Sequence, residues 1–280
     1  ALPQVPAPPL RAEPPHHRPS LVRADDRLRG RLREGAVMRL LDLFCGAGGA
    51  AVGYHRAGFA KIVGVDHRPM PRYPFAFVLA DALEYVVAHG HEFDAIHASP
   101  PCQGYSIMRN LPWLRDKDYP LLIAPTAEAL NEIGVPWVIE NVMGAKLPSG
   151  WLCGTMFGLP FFRHRFFWAS GWFWLQPPHE IHRSRILAGR MLKNRARKII
   201  TDDAHISPSG RPQGLNSRFK KNGAQRVGVA VGHAAGIGLA RTQMDLEWMS
   251  REELTQAIPP AYTEFIGKQL LAAIIRPTPS

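Results

Sequence analysis

Leu41-Asp42-Leu43-Phe44-Cys45-Gly46-Ala47-Gly48-Gly49 is the stretch that decides the fold. Arg39 to Phe44 reads as a strand, Gly46 to Gly49 as a tight turn, and Ala50 to Ala57 as a helix stopped at Gly58. Glycines let a backbone approach a ligand closely, and a helix N-terminus offers unpaired N–H groups and a positive dipole end. Asp66 closes a second strand that starts at Lys61, where a carboxylate can take ribose hydroxyls. The turn departs from G-x-G-x-x-G, which disfavours a nicotinamide cofactor.

Outward from this unit the pattern repeats. Phe75 to Leu79 is a third strand, and Asp81 precedes a helix from Ala82 to His89. Asp81 has two readings: the N-cap of that helix, or an acceptor for an adenine amino group. Phe93 to Ala98 is a fourth strand, Leu121 to Ile133 a helix with Pro125 in its first turn, and Pro136 to Glu140 a fifth strand. Short strands alternating with helices predict an α/β fold, a doubly wound and mostly parallel sheet with right-handed crossovers.

The fourth strand runs into Ser99-Pro100-Pro101-Cys102-Gln103-Gly104-Tyr105-Ser106. Two consecutive prolines fix φ and remove two donors, so the next side chain is held in one direction. That side chain is Cys102, a strong nucleophile as a thiolate. A lone Pro-Cys would read as a buried structural cysteine; its place at the carboxyl end of a strand, beyond a glycine turn, favours a reactive group facing a cofactor.

Composition bounds the rest. A chain of 280 residues holds one large α/β domain plus a smaller lobe, and 46% apolar content is that of a globular protein. No apolar run approaches the roughly 20 residues that span a bilayer, and no secretory signal is evident. Cys45, Cys102 and Cys153 lack a C-x-x-C spacing and indicate a reducing compartment, with Cys45 and Cys153 structural. A formal charge of +11 favours a polyanionic partner.

Four segments follow. Residues 1–37, with seven prolines in the first twenty positions, form a Pro/Arg-rich disordered extension ahead of Met38. Residues 38–170 are the catalytic and cofactor-binding domain. Residues 171–240 form a small, irregular basic lobe; residues 183–226 alone carry twelve Lys and Arg against Asp202 and Asp203. Residues 241–280 return to the main sheet through a helix from Thr263 to Ile275.

Taken in order, Asp42 to Gly49, Asp66, Asp81, Pro101-Cys102-Gln103, Glu140-Asn141-Val142 and Arg163-His164-Arg165 resemble the DNA cytosine-5 methyltransferase family, especially its short phage and bacterial members. The resemblance implies S-adenosylmethionine as donor in a Rossmann-like fold. It places Phe44 against the adenine, Asp66 on the ribose, His67 where the family often stacks an aromatic, and Asp81 on the adenine amino group. Gly46, Ala47, Gly48, Gly49, Ala82 and Pro101 complete the cofactor contacts. Gln256 stands where the family usually has Gly-Asn before its last helix, in a Leu254 to Pro260 stretch that departs from the pattern.

The chemistry agrees with the resemblance. Carbon 5 of cytosine is a poor nucleophile until a thiolate such as Cys102 adds at carbon 6. Glu140, ending an apolar strand, suits nitrogen 3 if burial keeps it protonated. By resemblance Arg165 takes oxygen 2, Arg163 supports the catalytic loop, and Asn141 bonds the loop backbone to orient Cys102. Two other readings stay open: Glu140-Asn141 as a capped turn, and Arg163 with Arg165 as one solvent face of an edge strand. The partner expected is double-stranded DNA, with the target base rotated out of the stack and the basic lobe on phosphates. RNA cytosine as substrate and an inactive DNA-binding relative are the alternatives. No metal, no membrane and a monomer are expected, in the cytoplasm of a bacterium or phage-infected cell.

Overall fold

The computed structural model describes residues 37–106, 117–159, 161, 163–179, 229–230, 233–234 and 237–275. The expectations for 1–36 and for the basic run 183–226 fall outside the described residues. The sheet is built from β1 (Arg39–Leu43), β2 (Lys61–Asp66), β3 (Ala76–Leu79), β4 (Ala95–Ala98), β5 (Trp137–Asn141), β6 (Gly150–Leu152) and β7 (Arg165–Ser170). Their order is β3-β2-β1-β4-β5-β7-β6. β1 to β5 pair in parallel, and β7 runs antiparallel to both β5 and β6. The order reverses between β1 and β4, the switch point where ligands sit in doubly wound sheets.

Helices α1 (Gly49–Ala57), α2 (Ala82–His89) and α3 (Ile123–Ile133) are the crossovers, and Pro125 does fall in the first turn of α3. The central strands are buried on both faces, which is why they read as nearly unbroken apolar runs. One face, covered by α1 and the C-terminal helix α6 (Pro260–Ile275), holds Leu40, Tyr54, Ile62, Val138, Phe167 and Ile266. The other, covered by α2 and α3, holds Leu41, Leu43, Val86, Ile96, Leu130 and Ile139. α1 and α6 pack very closely: a Cβ on Gly53 would stand 2.0 Å from Thr263 Oγ1, and one on Gly267 2.7 Å from the Ala57 side chain. The Thr263 hydroxyl donates to the Ala50 carbonyl at 2.9 Å across that contact.

The structure differs from the sequence expectations at two places and adds a helix at a third. The last helix starts at Pro260, not Thr263, because Pro is well suited to the first turn. The irregular lobe expected through 240 contains a short hairpin, β8 (Val229–Ala230) with β9 (His233–Ala234), and gives way at Ile237 to helix α4 (Ile237–Met244). A further helix, α5 (Arg251–Gln256), follows; its N-cap Ser250 accepts from Glu253 N–H while the Glu253 carboxylate accepts from Ser250 N–H.

Candidate active site

The glycine turn comes first, because everything else is placed against it. Phe44 (φ 55), Gly46 (φ 50) and Gly48 (φ 87) are left-handed, so the chain leaves β1 sharply and enters α1 within a few residues. Gly46 N–H donates to Asp66 Oδ2 at 3.1 Å, and Arg68 N–H donates to Asp66 Oδ1 at 3.0 Å. The buried Asp66 thus ties the turn to the end of β2 while each oxygen keeps a further lone pair. His67 is exposed, with Nδ1 3.3 Å from Asp66 Oδ1. Phe44 is half-buried, and a Cβ placed on Gly46 would meet nothing within 4 Å.

Asp81 does cap α2: its Oδ1 accepts from Leu83 N–H at 2.8 Å and Glu84 N–H at 3.0 Å. Both bonds use one oxygen, and Ala82 beside it is buried. The ends of β1, β2 and β3 therefore present an open glycine turn, an anchored carboxylate and an exposed carboxylate along one sheet edge. That donor and acceptor set fits a nucleoside-bearing cofactor such as S-adenosylmethionine, with ribose hydroxyls on Asp66 and backbone amides near the charged end.

The C-terminal segment closes over the same turn. Trp248 Nε1–H donates to the Ala47 carbonyl at 3.0 Å, and a Cβ on Gly49 would lie 2.6 Å from the Ile258 carbonyl oxygen. Gln256 is exposed at the end of α5. Its neighbours are spoken for: Thr255 accepts from Arg163, and Ala257 packs on Gly49.

The Cys102 loop leaves β4 one strand away. Ser99 N–H bonds the Leu43 carbonyl at 3.1 Å, so this loop and the glycine turn start from a shared hydrogen bond. Tyr105 and Ser106 N–H both turn back on the Cys102 carbonyl, at 3.1 and 3.0 Å. The Tyr105 hydroxyl accepts from Ile123 N–H at 3.0 Å, joining the loop to the start of α3. Asn141 Nδ2 donates to the Pro100 carbonyl at 2.9 Å, the loop contact expected of it. Pro101 and Cys102 are themselves half-buried.

Register explains how the charged groups meet. Glu140 lies opposite Phe167, so it shares a sheet face with Phe167, Arg165 and, one step on, Arg163. Arg165 Nε is 2.8 Å from Glu140 Oε1, with both side chains under a tenth exposed. Arg163 is 1% exposed, and its Nη2 donates to the Thr255 carbonyl at 2.8 Å. Neither reading held open against these residues survives, since the arginines face no solvent and the carboxylate pairs with Arg165 instead of capping a turn. Among the described residues Arg163 Nε and Nη1 are buried without a protein acceptor, and the guanidinium charge acts on the Cys102 thiol.

Burial dominates the titrations here. It raises the Cys102 thiol above its ordinary value, with Arg165 and Arg163 pulling down and Glu140 pushing up. It raises the Glu140 carboxyl as well, against Arg165, Arg163 and a hydrogen bond from Ser99. It lowers Arg163 to about 9.

A polar line not legible in the sequence supports Glu140 from beneath. Tyr54 hydroxyl meets His97 Nδ1 at 3.0 Å, and His97 Nε2 meets Ser99 Oγ at 2.8 Å. Burial holds His97 down to about 3, so the ring is neutral. The assignment that satisfies every partner has Tyr54 O–H donating to Nδ1, Nε2–H to Ser99, and Ser99 O–H to Glu140. On the same face Tyr73 donates to the buried Asp42 at 3.1 Å and lies over Gly64, where any Cβ would sit 2.3 Å from its ring.

Residues 38–149 match the family model for C-5 cytosine-specific DNA methylase. The chain is 31% identical over 141 residues to the Type II methyltransferase M.AgeI of Thalassovita gelatinovora, across 40% of this chain and 30% of that protein. It is 28% identical over 121 residues to the Type II methyltransferase M.AquIA of a Picosynechococcus species, across 38% of this chain and 49% of that one. The matches therefore span about a third to a half of the length of these relatives. Among solved structures, SAM-dependent methyltransferases of Agrobacterium tumefaciens (TM-score 0.28, 15% identity, 44% of this chain and 45% of that one) and Archaeoglobus fulgidus (TM-score 0.26, 20% identity, 47% and 55%) are similar over part of the chain.

Proposed function

From a chain whose residues 38–149 match the family model for C-5 cytosine-specific DNA methylase, we propose methyl transfer from S-adenosylmethionine to carbon 5 of cytosine in double-stranded DNA, through a transient bond to Cys102. One observation carries the reading. A cysteine, a buried carboxyl and two buried guanidiniums converge at the β4–β5 edge, against a loop hydrogen-bonded to the end of the glycine-turn strand.

Held at the ends of β1, β2 and β3, S-adenosylmethionine would supply an electrophilic methyl group to a nucleophile presented beside it. The chain's task is to make carbon 5 that nucleophile. The Cys102 thiolate adds at carbon 6, and electron density moves onto nitrogen 3 and oxygen 2 of the ring. Burial raises the Glu140 carboxyl, which suits it to take up a proton and deliver it to nitrogen 3 as charge builds on the ring. Arg165 and the unpartnered donors of Arg163 stabilise charge on oxygen 2. Once carbon 5 is methylated, loss of its proton expels the thiolate and restores the aromatic ring. Asn141, through Pro100, holds the loop, and the Tyr54–His97–Ser99 line holds Glu140.

A stacked cytosine cannot reach Cys102, so the base is everted at a cost of a few kcal/mol. Lys and Arg of residues 183–226 offset that cost through phosphate contacts, a salt-sensitive term. No helix of the described residues is long and apolar enough to cross a membrane.

The test incubates the chain with methyl-tritiated S-adenosylmethionine and duplex DNA or RNA, then digests the product to nucleosides. Label in 5-methyldeoxycytidine is the expected result, and bisulfite sequencing reads its context. Label in 5-methylcytidine of RNA alone, or on an exocyclic amino group, would overturn the assignment.

A further inference from the structure

The β6–β7 ladder ends at Leu152 opposite Arg165, so the next residues outward are Cys153 and His164. The chain beyond β7 then comes back along this edge. Trp174 packs edge-on against Phe167, with ring centroids 6.1 Å apart, and Gln176 Oε1 accepts Trp151 N–H at 3.1 Å. His179 is thereby delivered to the same spot. One ligand atom from each of Cys153, His164 and His179 lies within 4.8 Å of the other two. The imidazole centroids are 5.5 Å apart, and Trp151 stands against both rings at 5.2 and 4.6 Å. Cys153 is fully buried and both histidines are half-buried.

We propose that Cys153, His164 and His179 bind one zinc ion that fastens the segment after β7 to the sheet edge. A thiolate with two imidazoles is a soft-to-borderline donor set, which suits zinc and excludes calcium and magnesium, both of which need oxygen ligands. The sulfur is already an acceptor, from Thr155 Oγ1 at 3.4 Å and from Met156 N–H, as ligating thiolates commonly are. Tetrahedral ligation at ordinary zinc bond lengths brings donor atoms to about 3.3–3.7 Å of one another. Small rotations of the two half-buried imidazoles close that gap. Three protein ligands leave a fourth position for water.

The sequence hides this site because its ligands follow no short motif; the antiparallel strand pair and the returning loop create it. The reading of the cysteines by spacing alone, which expected no metal, had no access to that geometry. The consequence is local. His164 sits between Arg163 and Arg165, so the ion steadies the strand end that carries both guanidiniums.

Zinc content tests the proposal without DNA or methyl transfer, so its outcome is independent of the function proposed above. The full chain, produced with zinc and dialysed against metal-free buffer, is measured by mass spectrometry of the metal. About one equivalent is expected, falling severalfold or more in Cys153→Ser, His164→Ala and His179→Ala. Cobalt substitution should give a thiolate-to-cobalt charge-transfer band that Cys153→Ser abolishes. His179→Ala removes a half-buried ring near the surface, so it reports even where the Cys153 variant does not fold. Less than about a tenth of an equivalent in the wild-type chain, or undiminished zinc in His164→Ala and His179→Ala, overturns the site.

Discussion

Glu140 Oε1 and Arg165 Nε meet at 2.8 Å across the diagonal of the β5–β7 pair, both under a tenth exposed. The pair sets the charge around Cys102 with opposite signs. Glu140 disfavours the thiolate and Arg165 favours it, on top of a burial effect that already raises the thiol.

Opposite shifts in Cys102 reactivity follow. Alkylation by iodoacetamide requires the thiolate, so its rate should climb with pH through a midpoint above that of an ordinary thiol. Glu140→Gln removes the anion and should move the midpoint down. Arg165→Gln removes the cation and should move it up. Each change breaks a buried pair and should destabilise the fold by about 3–5 kcal/mol, so circular dichroism accompanies the titration. Midpoints shifting the same way in both variants would contradict the placement of these charges.

Cys102→Ser tests the nucleophile. An alcohol in that loop has no thiolate to add at carbon 6, so methyl transfer should fall by at least about a thousandfold. Binding of S-adenosylhomocysteine should stay within about twofold, because the cofactor edge is built from β1, β2 and β3. Duplexes with 5-fluorocytosine in the target context should form a denaturation-resistant adduct with the wild-type chain and none with the variant. An adduct surviving in Cys102→Ser would move the bond to another residue.

Much of the parallel half was readable because its signals are local. The glycine turn, Asp66 at the end of β2, the Asp81 cap and the Pro-Cys loop lie where strand period and turn chemistry put them. The antiparallel closure was harder. The resemblance alone set Arg163 and Arg165 at the reacting base; residue pattern left a solvent-facing edge strand open, since arginine is seldom buried, and pairing with Glu140 and the Thr255 carbonyl closes that alternative. Ser250 with Glu253 is an S-x-x-E signature, a local sign of where α5 starts. The Trp248 bond to Ala47 spans 201 residues of sequence and has no local sign at all. The Tyr54–His97–Ser99 line is likewise tertiary, since each member alone is an ordinary core or turn residue.

Asn141→Ala probes how firmly the loop must be held. Its side-chain amide is buried and donates to Pro100 at 2.9 Å, so truncation strands a buried carbonyl and should cost about 1–3 kcal/mol of stability. Because that bond fixes the loop and not the cofactor edge, turnover should drop about tenfold or more while S-adenosylhomocysteine affinity holds. Chemical denaturation and single-turnover methylation measure the two effects. Unchanged turnover with the stability loss present would reduce Asn141 to a structural group.

Gly46→Ala and Gly48→Ala separate backbone strain from ligand space. Both positions are left-handed, at φ 50 and φ 87, so a side chain costs about 1–2 kcal/mol at either. At Gly48 the new Cβ would also stand 2.6 Å from Pro74 Cδ and 3.1 Å from the Tyr73 ring, and Tyr73 holds Asp42. Gly48→Ala should therefore lose more stability than the strain alone. At Gly46 no atom lies within 4 Å of the added carbon, so the fold bears only the strain. That open space is where the glycine turn would meet S-adenosylmethionine, and a methyl group there competes with it. Thermal denaturation should rank Gly48→Ala as the less stable variant, while calorimetric titration with S-adenosylhomocysteine should show Gly46→Ala losing affinity at least tenfold despite its milder unfolding. Wild-type affinity in Gly46→Ala would place the cofactor away from this turn.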